Sequence, residues 1–160
     1  MTRSLGSHVP DDIRAVLDGS DLARREGATI LLLTTDEAGW PHMAMLSVGE
    51  VVATDPRTLR AALWLRSTTT KNLDRTGRAT LALVANGSGY YLRVSAHRGA
   101  DLDLGADGRL AYFVLQVDDV LEDAADYATL TSGVTFRLNH PEQVLPRWQH
   151  TIEALKSAAA

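Results

Sequence analysis

Residues 78–96 read RATLALVANGSGYYLRVSA: two runs of apolar and β-prone residues on either side of Asn86-Gly87-Ser88-Gly89. Asn-Gly supplies the positive φ angles that a tight antiparallel turn requires, so the stretch predicts strands over 78–85 and 90–96 joined as a hairpin. The same grammar repeats upstream. Residues 28–35, ATILLLTT, have the composition of a strand buried on both faces, and the turn Asp36-Glu37-Ala38-Gly39 leads into a second run, 42–53, HMAMLSVGEVVA. Gly49 inside that run marks a bulge or a close backbone approach. After the turn Thr54-Asp55-Pro56-Arg57, residues 58–66, TLRAALWLR, alternate, with Leu59, Ala61, Leu63 and Leu65 on one face and Thr58, Arg60, Ala62, Trp64 and Arg66 on the other.

Residues 110–117, LAYFVLQV, predict a sixth strand and 134–138 a short seventh. Helices are expected over 10–26, interrupted at Gly19-Ser20; over 70–75, ended by Gly77; over the acidic run 118–129; and over 141–160, which opens with Pro-Glu. Consecutive short strands with tight turns imply antiparallel pairing, and closure into a barrel removes exposed edges. The expected fold is mainly β with peripheral helices, a split antiparallel barrel of six or seven strands. Strands do not alternate with long helices, which disfavours a parallel doubly wound sheet. A chain of 160 residues fits one domain: a helical segment at 1–27, the barrel at 28–138 and a terminal helix at 141–160.

Hydrophobic residues make up 45% and charged residues 22%, ordinary values for a folded globular protein. With no cysteine, disulfides, thiolate metal sites and cysteine nucleophiles are excluded, and a reducing cytoplasm is the expected compartment. No apolar run, Ile30 to Leu33 included, approaches the roughly 18 residues of a membrane span, so no membrane association is expected. A net charge of -4 speaks against nucleic acid as a partner. The charge is uneven. Arg57, Arg60, Arg66, Lys71, Arg75 and Arg78 face Asp74 alone in one segment, whereas 101–126 carries eight acids against Arg109. One basic segment in an acidic protein suits a small anionic ligand better than a polyanion.

The basic segment contains Ser67-Thr68-Thr69-Thr70-Lys71, placed where an alternating strand ends and a short helix begins. Free backbone N–H groups, hydroxyls and a cation converge there, which suits a phosphate; an ordinary helix cap by Thr69 or Thr70 explains the same residues. Of sixteen basic residues only Lys71 and Lys156 are lysine, and lysine offers a compact, rotatable point charge. The nucleotide loops GxxxxGK[ST] and GxGxxG are absent, as is GxSxG, and the five histidines form no close ligand pair, so no metal is expected.

Taken in order, residues 30–42, 58–66, 67–73 and 78–81 resemble the FMN-binding split-barrel family, the pyridoxamine 5'-phosphate oxidase-like proteins; the likeness is strongest over 28–96, and Thr131-Ser-Gly-Val-Thr-Phe136 adds to it. The resemblance implies a homodimer with one FMN at each end of the subunit interface, acting on a small-molecule substrate or electron donor. It implies that Thr69, Thr70 and Lys71 hold the phosphate, and that the ring lies against Met45, Leu46 and Ser47 and against Trp64, Leu65 and Arg66, with Tyr91 a further ring contact. The family's Arg-Lys pair is replaced here by Thr70-Lys71, its strand arginine by a residue near Ala44, and 141–160 lacks its substrate-gripping segment, so vitamin B6 oxidation is not expected. Two alternatives keep the barrel. The deazaflavin F420 would draw on Arg57, Arg60 and Arg75 for its longer anionic tail; a non-catalytic protein would bind flavin, or haem through His42 or His97.

Overall fold

The computed structural model describes residues 1–159. Asn86 (φ 52°) and Gly87 (φ 79°) both take the left-handed conformation, and they close the hairpin of β6 (Arg78–Ala85) and β7 (Ser88–Arg98) with Ala85 opposite Ser88. The remaining strands are β1 (Thr2–Ser4), β2 (Ile30–Thr35), β3 (Pro41–Leu46), β4 (Val51–Asp55), β5 (Thr58–Trp64), β8 (Leu102–Asp103) and β9 (Arg109–Asp123). All pair antiparallel in one nine-stranded sheet of order β3-β2-β6-β7-β9-β5-β4, with β1 and β8 both attached to β9. The alternating faces of these strands supply the core: Leu32, Leu59, Leu81, Leu92 and Leu115 are fully buried.

Four expectations are corrected. The acidic run 118–129 is not a helix: residues 118–123 continue β9, because the long β7 needs a partner as far as Gly89, which pairs with Asp123. Asp118 is an extra residue at a bulge in that pairing. Residues 42–53 are not one strand. They split into β3 and β4, which lie at opposite ends of the sheet order, on either side of the turn at 47–50. Residues 134–138 form no strand; one bridge, Thr135 to Ala28, ties the segment down. Finally, helix α1 spans only Asp11–Val16, and 17–27 is a series of turns. The short strands β1 and β8 escape a sequence reading because three and two residues are below the length at which periodicity shows.

Helix α2 (Thr68–Thr76) is held at both ends by local chemistry. Ser67 is its N-cap, accepting the Thr70 N–H at 3.1 Å, and Gly77 (φ 65°) is its left-handed C-cap. The cap is therefore the serine and neither of the threonines expected for it.

Helix α3 (Pro141–Ser157) buries Trp148, Thr151, Ile152 and Leu155 against β4 and β5. Its C-terminal carbonyls are collected by one guanidinium: Arg60 Nη1 donates to the carbonyls of Leu155 and Ala158, both at 2.8 Å. At mid-helix Trp148 lies against Gly49, where a Cβ would stand 2.1 Å from the indole. Gly49→Ala is expected to cost about 3 kcal/mol, lowering the melting temperature by roughly 6–12 °C. A thermal unfolding curve with the parent midpoint would show that Trp148 is not locked there.

Candidate functional site

The junction of β5 and α2 is built from side chain to backbone. Thr70, almost fully buried, donates its hydroxyl to the Trp64 carbonyl at 2.7 Å and receives the Ser67 hydroxyl at 3.0 Å. Asn72, also buried, donates to Thr34 on β2 at 3.0 Å, and Arg75 donates to Asn72 Oδ1 at 3.2 Å and to the Thr35 carbonyl. Polar ties from Thr70 in its first turn and from Asn72 and Arg75 beyond it thus fix α2 between β5 and β2. Thr69 is buried beside Thr70, while Trp64, Leu65, Arg66, Thr68 and Lys71 stay exposed. Neither Arg66 nor Lys71 forms an ion pair among the described residues. Lys71 rims an open cleft of about 380 Å³ together with Thr68, Arg75 and the acidic turn at Asp36-Glu37. Asp36 is already used by that turn, accepting the N–H groups of Ala38 and Trp40.

Met45, Leu46 and Ser47 lie at the far end of β3, on a second cleft of about 420 Å³. Trp64 lines a narrow neighbouring pocket, and the two cavities share Glu50, Arg147 and Trp148. The structure therefore brings the two stretches expected at a ring around one trio that the sequence reading did not single out. Glu50 Oε2 accepts the Ser47 N–H at 2.6 Å and the Ser47 hydroxyl at 2.9 Å. Burial pushes its carboxyl above the usual range, against the pull of the Ser47 bonds and of Arg147. Gly49 was the one available signal for this trio; its meaning, a close approach by Trp148, needs α3 in place.

Tyr91 is set apart. It sits on β7 between Ala82 and Leu121, lines neither cleft, and donates its hydroxyl to Asp123 Oδ2 at 2.8 Å, a bond that together with burial raises its pKa. Of the arginines considered for an F420 tail, Arg60 is occupied by α3, Arg75 by Asn72 and Thr35, and Arg57 lies at the β4–β5 turn. No group of three or more His, Asp or Glu with metal-holding geometry occurs among the described residues, and none of their helices is long and apolar enough to cross a membrane.

The chain is 39% identical over 146 residues to the uncharacterized protein YclD of Bacillus subtilis (strain 168), covering 91% of this chain and 94% of YclD. The chain belongs to the YclD family. No broader family profile matches this YclD-family chain. Among solved structures it resembles a candidate pyridoxamine 5'-phosphate oxidase from Lactobacillus delbrueckii (15% identity, 74% of this chain and 98% of that one, TM-score 0.56). It also resembles HupZ of Group A Streptococcus (13%, 81% and 99%, TM-score 0.54). A third is a Clostridium acetobutylicum protein related to general stress protein 26, of the pyridoxinephosphate oxidase family (13%, 79% and 97%, TM-score 0.50). At such identities the likeness is one of fold. The fold of this YclD-family protein is the pyridoxamine 5'-phosphate oxidase-like split barrel, as the order of strands and motifs over 28–96 led us to expect.

Because the folded-state pKa of Glu50 lies above its unfolded value, folding disfavours ionisation of this carboxyl. Stability is lost as pH rises from the ordinary carboxylate range, about pH 4, through the raised folded value. Glu50→Gln keeps an acceptor for Ser47 and removes that loss. It is expected to melt above the parent at neutral pH, with the gap closing on acidification; a gap independent of pH would mean that Glu50 is not held against ionisation.

Proposed function

We propose that this protein is an FMN-binding oxidoreductase that works as a homodimer, with a small-molecule substrate or electron donor. The observation that carries this reading is the β5–α2 junction: an exposed indole, Trp64, and an exposed, unpaired amine, Lys71, are held on one rigid turn by the Thr70–Trp64 hydrogen bond. A flavin mononucleotide needs a cation and directed donors for its phosphate and an apolar surface for its ring, and the donor set fits. Lys71 and Thr68 rim the adjoining cleft, and both are exposed.

In this reading Thr69 and Lys71 hold the phosphate, and Thr70 positions the turn, its own proton being committed to Trp64. Met45, Leu46 and Ser47 on one side, and Trp64, Leu65 and Arg66 on the other, contact the ring, with Tyr91 left for a contact across the dimer. Bound FMN supplies hydride or electron transfer; the chain supplies binding, orientation and exclusion of water. Met43 (51% exposed), Met45 (59%) and Trp64 (65%) leave apolar surface that a second subunit would cover. A mononucleotide is favoured over F420 because Arg60 and Arg75 already serve the fold.

Purified protein titrated with FMN should turn yellow with a quenched flavin emission and sediment as a dimer. Lys71→Ala is expected to weaken FMN binding about tenfold or more, the value of a charge-assisted hydrogen bond, and adding Thr70→Ala should weaken it further. Protein indifferent to FMN, or a Lys71→Ala, Thr70→Ala variant of parental affinity, would remove the assignment.

A further inference from the structure

The cleft beside Met45–Ser47 has chemistry of its own. Its walls are apolar, formed by Leu46, Phe136, Leu138, Val144 and Trp148, and Phe136 meets Trp148 edge to face at 6.4 Å. Its volume, about 420 Å³, lies in the range of pockets for small organic ligands. Three of the polar residues that line it use their hydrogen-bonding capacity unequally. Glu50 has both Ser47 donors on one oxygen. The Arg147 guanidinium, with five N–H donors, has no ion pair and no hydrogen bond among the described residues, although it lies close enough to Glu50 to act on its charge. Thr29 Oγ1 is buried with no hydrogen-bond partner at all. That hydroxyl lies behind the wall, so the guanidinium is the polar group left for a ligand.

We infer that this cleft is the binding site of a small apolar carboxylic acid, whose carboxylate is paired by Arg147 and whose body lies against Phe136 and Trp148. The spare capacity is cationic: the carboxylate of Glu50 is half satisfied by Ser47, whereas every Arg147 donor is free. Helix α3 carries Val144, Arg147 and Trp148 within two turns of one face and so defines the ligand class, while β3 carries Met45 and Leu46 and the turn after it Ser47. That the acid is also the substrate rests on the flavin reading above; its binding does not.

The test uses 3-phenylpropionate and its neutral amide, 3-phenylpropanamide, titrated calorimetrically into the full-length protein with and without FMN. The acid should bind at least about tenfold tighter than the amide, the discrimination expected of a charge-assisted pair. Arg147→Gln, a change on the surface, should erase that preference while leaving FMN binding as in the parent. Glu50→Gln should keep or sharpen the preference, by removing a like charge. Equal binding of acid and amide, binding of neither, stronger binding of 3-phenylpropylamine, or a preference that survives Arg147→Gln would each overturn the inference. Acid preference in a protein indifferent to FMN would support the acid site and sink only the flavin reading; the reverse result would sink only the acid site.

Discussion

The structure depends on β9. A strand of fifteen residues exposes a row of backbone donors and acceptors on each edge, and each must find a partner or water. On one edge it pairs with β5 and on the other with β7, while its two ends are capped by the short strands β8 and β1. Four other strands are thereby placed by one. The bulge at Asp118 is part of the same arrangement: it adds a residue to β9 where β7 passes from Arg93 to Val94, and Asp118 accepts the Ser95 hydroxyl at 2.7 Å. The acids that follow find partners along the same strand. Asp119 takes the Ser4 hydroxyl at 2.5 Å, Glu122 pairs with Arg3 at 2.6 Å and Asp123 accepts from Tyr91.

The second organising contact is the seating of α3 across β4 and β5. Arg60 gathers the last carbonyls of the helix, and the absent side chain of Gly49 admits Trp148 at its middle. This seating converts the turn between β3 and β4 into one wall of two adjoining cavities, and it brings Glu50 and Arg147 to face the strand ends that carry Met45 and Trp64. Binding chemistry and fold stability share this helix, so the arginine that holds it in place is no longer free to hold a ligand.

Much of the sheet was legible because its signals are local. Asn86-Gly87 defines a turn by backbone sterics alone, the alternation in TLRAALWLR follows from the pleat, and the end of α2 from a left-handed glycine at position 77. Where those signals conflict with long-range pairing, the local reading failed. Residues 118–123 have the charge and spacing of a solvated helix, yet the unpaired edge of β7 claims them. Residues 42–53 look continuous, but β3 continues the β2 hairpin whereas β4 must reach β5, and only a turn at 47–50 permits both. The site was legible in part for the same reason. Lys71 and the hydroxyls around it stand in one contiguous stretch, whereas Glu50, Arg147 and Thr29 are separated by dozens of residues and carry no spacing motif.

By itself the sequence determined most strand-forming segments, the tight turns that make them antiparallel, the short helix after the alternating run 58–66 and the compact cationic lysine within it. All of these follow from steric and hydrogen-bonding preferences acting over a few residues. Only the tertiary structure decided that Ser67 is the cap and Thr70 a tie to Trp64, that Arg60 belongs to a helix nearly a hundred residues away, and that an acid and a guanidinium line one apolar cavity. Such choices depend on which buried polar groups find partners once the sheet has closed, and that competition has no local signature.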